Sequence, residues 1–151
     1  MSEKSLKSDI QAELENLERL KKEMEKVIKA ILNSPDFIQT RAMGSILHDF
    51  YCGIEKILTR ISIHMDGLVP EGEDWHNDLL IRMSQPVEGT RDKVISYELV
   101  KKLKEYLRFR HLFRHIYGFE LEWDRFKDLT LSLNNIFQEL KSQLEKFLMK
   151  I

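Results

Sequence analysis

Residues 106–117 read Tyr-Leu-Arg-Phe-Arg-His-Leu-Phe-Arg-His-Ile-Tyr, so three arginines, two histidines and four aromatics share twelve positions. A merely solvated helix face draws on Lys and Glu. Here the cation is arginine, whose planar guanidinium forks onto phosphate oxygens and stacks on aromatic rings. From Lys101 to Gly118 there are six Lys or Arg and a single acid, Glu105, in a chain whose net charge is −1. The chemistry that this segment favours is recognition of a phosphate by Arg108, Arg110 and Arg114, with the imidazoles of His111 and His115 beside it. A zinc pair of His111 and His115 is the weaker alternative, because no third ligand stands nearby. No metal and no cofactor are expected.

The spacing adds a geometric condition. At about 100° per residue on a regular helix, Arg110 and Tyr117 fall on nearly the same face and Arg114 lies about 40° away. On the same helix His115 stands about 140° from Arg110. An arginine and a histidine so placed cannot grip one atom from a rigid, regular helix. Either the helix is locally distorted, or a second copy of the segment completes the site across a two-fold interface.

The elements that must position this segment are legible from periodicity. Ile10, Leu14, Leu17, Leu20, Met24, Val27 and Ile31 step by three or four and predict a helix over Ser5–Leu32. Its outer face carries Glu15–Arg19, Glu18–Lys22 and Glu25–Lys29 as i,i+4 pairs. Ser34 is expected to cap a second helix with Pro35 in its first turn. That helix presents Phe37, Met43, Ile46, Leu47, Phe50, Ile54, Ile57, Leu58, Ile61 and Met65 to the core, and Ser45, Cys52 and Gly53 mark a side where a neighbour can approach closely. The stretch from Asp66 to Asp74 reads as a loop with four acids and no compensating cation. Asp74 is expected to cap a short helix over Trp75–Met83. A third long helix is predicted over Ser96–Tyr117, with Ser96 as N-cap, no capping box, and Gly118 at its C-terminal cap. The last spans Trp123–Met149, with Phe126, Leu129, Leu133, Ile136, Leu140, Leu144, Phe147 and Ile151 in register. No alternating strand pattern of useful length is present. The expected fold is all-α, an antiparallel four-helix bundle with one additional short helix, formed by residues 1–151 as a single domain.

Composition narrows the class. The chain has 151 residues, 42% hydrophobic and 32% charged, with 24 Lys or Arg against 25 Asp or Glu. A chain of this length buries roughly 70% of its unfolded surface and needs no disulfide or metal staple. The charge balance excludes a wholesale polyanion binder, so any nucleic-acid contact must come from a local patch. Cys52 is the single cysteine and cannot form an internal disulfide. No apolar run approaches membrane-spanning length, and Met1–Ser5 lacks the apolar start of a secretory leader. A soluble, reduced, cytoplasmic protein with no membrane association is the expectation.

Arg110-x4-His115-x-Tyr117 resembles the R-x4-H-x-Y motif of the HEPN superfamily, in particular the HepT-like toxins partnered by MNT-type nucleotidyltransferase antitoxins. The motif's place also resembles that fold: late in the third long helix of a bundle, with one helix to follow. Many HepT proteins carry asparagine after the motif arginine, where this chain has His111. The resemblance implies a metal-independent endoribonuclease toxin that works as a homodimer with its two motifs facing each other in a cleft. RNA, and not DNA, would be the substrate. Residue types suit that chemistry: cleavage by the 2′-hydroxyl needs a proton-transfer group titrating near neutrality, here His115, and a fixed cation for the developing phosphate charge, here Arg110. His111, Arg114 and Arg108 would support RNA binding. In the family the motif tyrosine is where the antitoxin attaches adenylate, which by position is Tyr117.

Blander readings stand beside these. Arg110 and His115 could pair with the downstream acids Glu120, Glu122 and Asp124, and Tyr117 could pack into the core. His48, His64 and His76 read as ordinary surface or capping histidines. The acidic loop reads as a solvated connector, or more sharply as an antitoxin-binding epitope, and Trp75 and Trp123 as core or interface anchors. At the level of function, the alternatives to a ribonuclease are a non-catalytic HEPN-like partner that helps a nucleotidyltransferase bind substrate, and a plain helical dimerisation adaptor.

Overall fold

The computed structural model describes residues 3–151, with side chains from residue 5 onward; Met1 and Ser2 of the opening segment lie outside the described residues. Five α-helices follow one another: α1 Glu3–Ala30, α2 Phe37–Ile61, α3 Trp75–Met83, α4 Tyr97–Phe113 and α5 Trp123–Met149. A π-helical turn, Ser62–Asp66, continues α2, and a 3₁₀ turn, Gly118–Glu120, precedes α5. Extended pairing among the described residues amounts to one isolated bridge, Val87 with Arg91. The fold is all-α, as the periodicity predicts.

The four long helices close into a ring, α1 on α2, α2 on α4, α4 on α5 and α5 on α1, with α3 lying against α2 and α4. Side-chain ties fix the directions. Arg60, at the end of α2, bonds Asp9 near the start of α1 at 2.9 Å. Gln143, late in α5, accepts from the Ser96 backbone N–H at the start of α4 at 2.7 Å. Both pairs therefore run antiparallel. One apolar core takes buried side chains from all five helices. Every residue of the predicted core stripes lies in or against it except Phe37, which stands exposed in the first turn of α2. Gly53 is the close-approach point anticipated: a Cβ there would stand 2.7 Å from the Leu17 side chain.

Local details differ from the sequence reading. Asp36, not Ser34, caps α2, because Asp36 and Gln39 form a reciprocal capping box: the Asp36 carboxylate accepts from Gln39 N–H at 2.7 Å, and the Gln39 carbonyl oxygen accepts from Asp36 N–H at 3.0 Å. On α1 the pair within ion-pair distance is Glu18 with Lys21, at i,i+3, in place of the i,i+4 pairs. Asp74 occupies the N-cap of α3, but its carboxylate accepts from the Asn77 side chain at 2.7 Å, not from a helix N–H. Ser96 caps α4 as expected, its hydroxyl accepting from Leu99 N–H at 3.1 Å.

The acidic loop is not uncompensated. Asp66, at the end of the π-helical turn, accepts from Arg82 Nε at 2.7 Å and from Arg91 through Nε at 2.7 Å and Nη2 at 2.9 Å. Arg91 spends its remaining donors on the Gln85, Asp92 and Arg82 carbonyls, and its side chain and that of Asp66 are both fully buried. Burial alone pushes the Asp66 carboxyl up, but the hydrogen bonds and charges of Arg91 and Arg82 outweigh it and hold it below its ordinary value. This knot ties the end of α2, the body of α3 and the 84–95 loop together, which sets α3 against α4.

Candidate active site

Helix α4 supplies the site, and its end matters most. The helix stops at Phe113 with Arg114 as its C-terminal cap, four residues before the predicted end at Tyr117. His115 N–H reaches Leu112 O at 3.0 Å, a tightened last turn. Gly118 does not cap the helix; it starts the 3₁₀ turn and lies beneath the Arg41 guanidinium, where a Cβ would collide. Phe113, the last residue of the helix, packs on His48 of α2 with ring centroids 5.1 Å apart and the planes tilted by 31°.

The early ending resolves the angular problem of Arg110 and His115. Between α3 and α4 lies an open groove of about 900 Å³. Arg108, Arg110, His111, Arg114 and His115 all line it from the α4 side, with Lys104; Glu73, Asp74, His76 and Asn77 line it from the α3 side. With the helix ended at Phe113, Arg110 and His115 both line one groove of a single chain. Tyr117 is not part of this lining. Beyond the end of α4 it no longer shares a face with Arg110; it is 70% exposed and stacks flat on Phe119, centroids 5.2 Å apart. The core-packing alternative for Tyr117 does not hold.

Arg110 is half-buried, and its Nε is buried with no hydrogen-bond partner among the described residues. Its charge is felt by buried Tyr51 of α2. Burial raises the Tyr51 phenol far above its ordinary pKa, the Glu55 charge raises it further, and Arg110 opposes both. The alternative in which Arg110 and His115 pair with the downstream acids is not realised among the described residues. Glu120 instead accepts from the Tyr117 backbone N–H at 2.9 Å, and Glu122 pairs with Arg125 at 2.6 Å. Arg108 differs from Arg110: it is exposed and paired with Glu105 at 2.6 Å.

His115 donates from Nδ1 to the His111 carbonyl at 2.6 Å, and the two rings lie 4.4 Å apart. With Nδ1–H so engaged, Nε2 is the nitrogen left for proton transfer. Arg114 is exposed at the groove and reaches His48 Nε2 at 3.5 Å.

The α3 wall of the groove was not assigned to a site by sequence reasoning, and neither was Glu55, which lies behind it and holds its histidine. His76 of α3 donates from Nδ1 to Glu55 Oε2 at 2.7 Å, and Glu55 is 8% exposed on α2. The signal for Glu55 was present: it sits on the apolar stripe beside Ile54 and Leu58, an expensive place for a carboxylate without a partner. Among the described residues no cluster of His, Cys, Asp and Glu could hold a metal ion, and no helix is long and apolar enough to cross a membrane.

An all-helical bundle with an arginine- and histidine-lined groove at the end of its fourth helix defines a class. The chain belongs to the HepT-like protein family, whose family model matches residues 42–151, from α2 to the end of α5. Neither the curated proteins nor the solved structures yield a match to the chain.

Proposed function

We propose that this protein is a metal-independent endoribonuclease toxin, a single domain over residues 1–151 that works in the cytoplasm as a homodimer. The observation that carries the reading is the convergence of Arg110 and His115 on one groove, with the Arg110 Nε buried and unpartnered there. Four fixed cations line the groove against two carboxylates, which favours a polyanion. Arg110 meets the charge developing on the scissile phosphate, and His115 exchanges a proton through Nε2. His111, Arg114 and Arg108 hold the flanking phosphates. Leu112, Tyr117 and Phe119, exposed beside the groove, offer apolar surface for a second copy of the chain.

Exposure of Tyr117 supports its role as the site where an MNT-type nucleotidyltransferase antitoxin adds AMP. Two residues from His115, an adenylate on the phenol brings an anion and a base to the mouth of the groove, where Arg114 can pair with the phosphate.

The test is cleavage of RNA by purified protein. Arg110→Ala and His115→Ala are each expected to lower cleavage by about 10²-fold or more with helix content unchanged, and EDTA is expected to have no effect. Cleavage at the wild-type rate after either substitution, or cleavage that stops with EDTA, overturns the mechanism. Binding of RNA without cleavage by the unaltered protein would make it the non-catalytic partner module instead. For regulation, intact mass after incubation with ATP, Mg²⁺ and the cognate nucleotidyltransferase should rise by AMP units, and Tyr117→Phe should abolish the gain.

A further inference from the structure

We propose that His76, positioned by Glu55, is the second proton-transfer group of the groove and takes the proton from the attacking 2′-hydroxyl. This rests on the ribonuclease reading above. In that reaction the O2′–P bond forms as the P–O5′ bond breaks, giving a 2′,3′-cyclic phosphate and a 5′-hydroxyl. Two protons move: one leaves the 2′-hydroxyl and one reaches the departing 5′-oxygen. One imidazole cannot do both at once on opposite sides of the phosphorus. The groove presents imidazoles on both walls, His76 from α3 and, across from it, His111 of α4 and His115 from beyond α4.

Glu55 carries the argument. Its neighbours on α2, Ile54, Ile57 and Leu58, are fully buried, and Glu55 itself is 8% exposed. A carboxylate in such surroundings is costly unless paired, and its partner at 2.7 Å is His76 Nδ1. The bond fixes the tautomer, so that the free lone pair of the neutral ring is on Nε2, the arrangement in which a carboxylate orients a histidine base and stabilises the imidazolium it becomes. Trp75 lies against the same ring, centroids 3.8 Å apart, and limits its rotation.

The surroundings divide the two roles. His76 has its Nδ1 held by a carboxylate, the arrangement of an oriented histidine base, whereas His115 has its Nδ1 on a neutral carbonyl. The base's role is therefore assigned to His76, and delivery of the proton to His115 on the opposite wall. Glu55 touches no substrate and is a positioning residue.

The experiment compares ordinary RNA with RNA in which sulfur replaces the bridging 5′-oxygen at the cleavage site, since a thiolate departs without a proton. His76→Ala is expected to lose roughly 10²- to 10⁴-fold on both substrates. Added imidazole should restore part of that loss, which a purely structural defect would not allow. His115→Ala is expected to fail on ordinary RNA and recover on the sulfur substrate. Glu55→Gln should lower the rate less than His76→Ala and keep the melting temperature near wild type. Two results overturn the proposal: His76→Ala cleaving ordinary RNA at the wild-type rate while Arg110→Ala does not, or His76→Ala recovering on the sulfur substrate. Unaltered protein that cleaves neither RNA overturns the reading of the groove itself, a distinct outcome.

Discussion

Arginine is used in two ways in this molecule. Around Asp66, Arg91 is fully buried and donates from Nε, Nη1 and Nη2 to protein oxygens, with Arg82 beside it. In the groove, Arg110 is also partly sequestered, yet its Nε finds no partner and no acid pairs with it. The first cluster is closed: all three Arg91 nitrogens are answered within the chain, and its product is geometry. The second is open: Arg110 lines the groove with no acid paired to it among the described residues. Donor accounting, not arginine content, separates architecture from site.

The sharpest way to break the comparison is to truncate one arginine from each cluster. Arg110→Ala should lower RNA cleavage by about 10²- to 10³-fold, the effect of losing a donor to developing charge, while melting shifts by only a few degrees. Arg91→Ala leaves Asp66 buried and half-answered. It should cost about 3–5 kcal/mol and lower the melting temperature by roughly 10 °C, read by thermal unfolding. If Arg91→Ala instead spared stability and Arg110→Ala unfolded the protein, the two clusters would have to exchange roles.

Acid sharpens the same contrast. Because the Asp66 carboxyl is held below its ordinary value of 3.8, its stabilisation is complete above that pH and is lost as pH falls through the lower folded value. Urea unfolding should therefore show stability falling below pH 3.8, and Asp66→Asn should flatten that part of the curve while lowering stability at neutral pH. The smallest effect belongs to Arg108, exposed and paired only with Glu105. Arg108→Ala should change stability by less than about 1 kcal/mol and reduce the salt dependence of RNA binding by a slope of about one.

Much of the fold was readable because helix stripes are local. The stripes through Ile10, Leu47 and Leu133 needed no knowledge of partners. The Asp36–Gln39 capping box was readable too, since an acid three residues before Gln is its signature; Ser34 and Pro35 offered a competing local pattern. The end of α4 was not. No Gly or Pro falls between Phe113 and Gly118, and the last helical residue, Phe113, packs on His48, 65 positions earlier in the sequence. For the same reason Arg110 and His115 were placed on diverging faces when they share one groove, and Tyr117 was placed with Arg110 when it stands apart. The Asp66 knot and the Glu55–His76 pair join residues 16 to 25 positions apart on different elements, and no periodicity announces such a meeting. Residue types pointed to the chemistry of the groove; its second wall came only from tertiary structure.

The π-helical turn at Ser62–Asp66 has a consequence for how this chain can vary. Such a turn is wider by one residue than the α-helical turn it replaces at the end of α2, so it takes up an extra residue before the loop begins. Removing a single residue between Ile61 and Asp66 would let the segment wind as regular α-helix, but would swing Asp66 by about 100° around the axis. Arg82 and Arg91 would then face a different side chain, and α3, with the groove wall it carries, would lose its anchor. Length in this short stretch is therefore under tighter constraint than identity: substitutions at Ile63 or His64 leave the count intact, whereas a one-residue deletion changes the register of half the site.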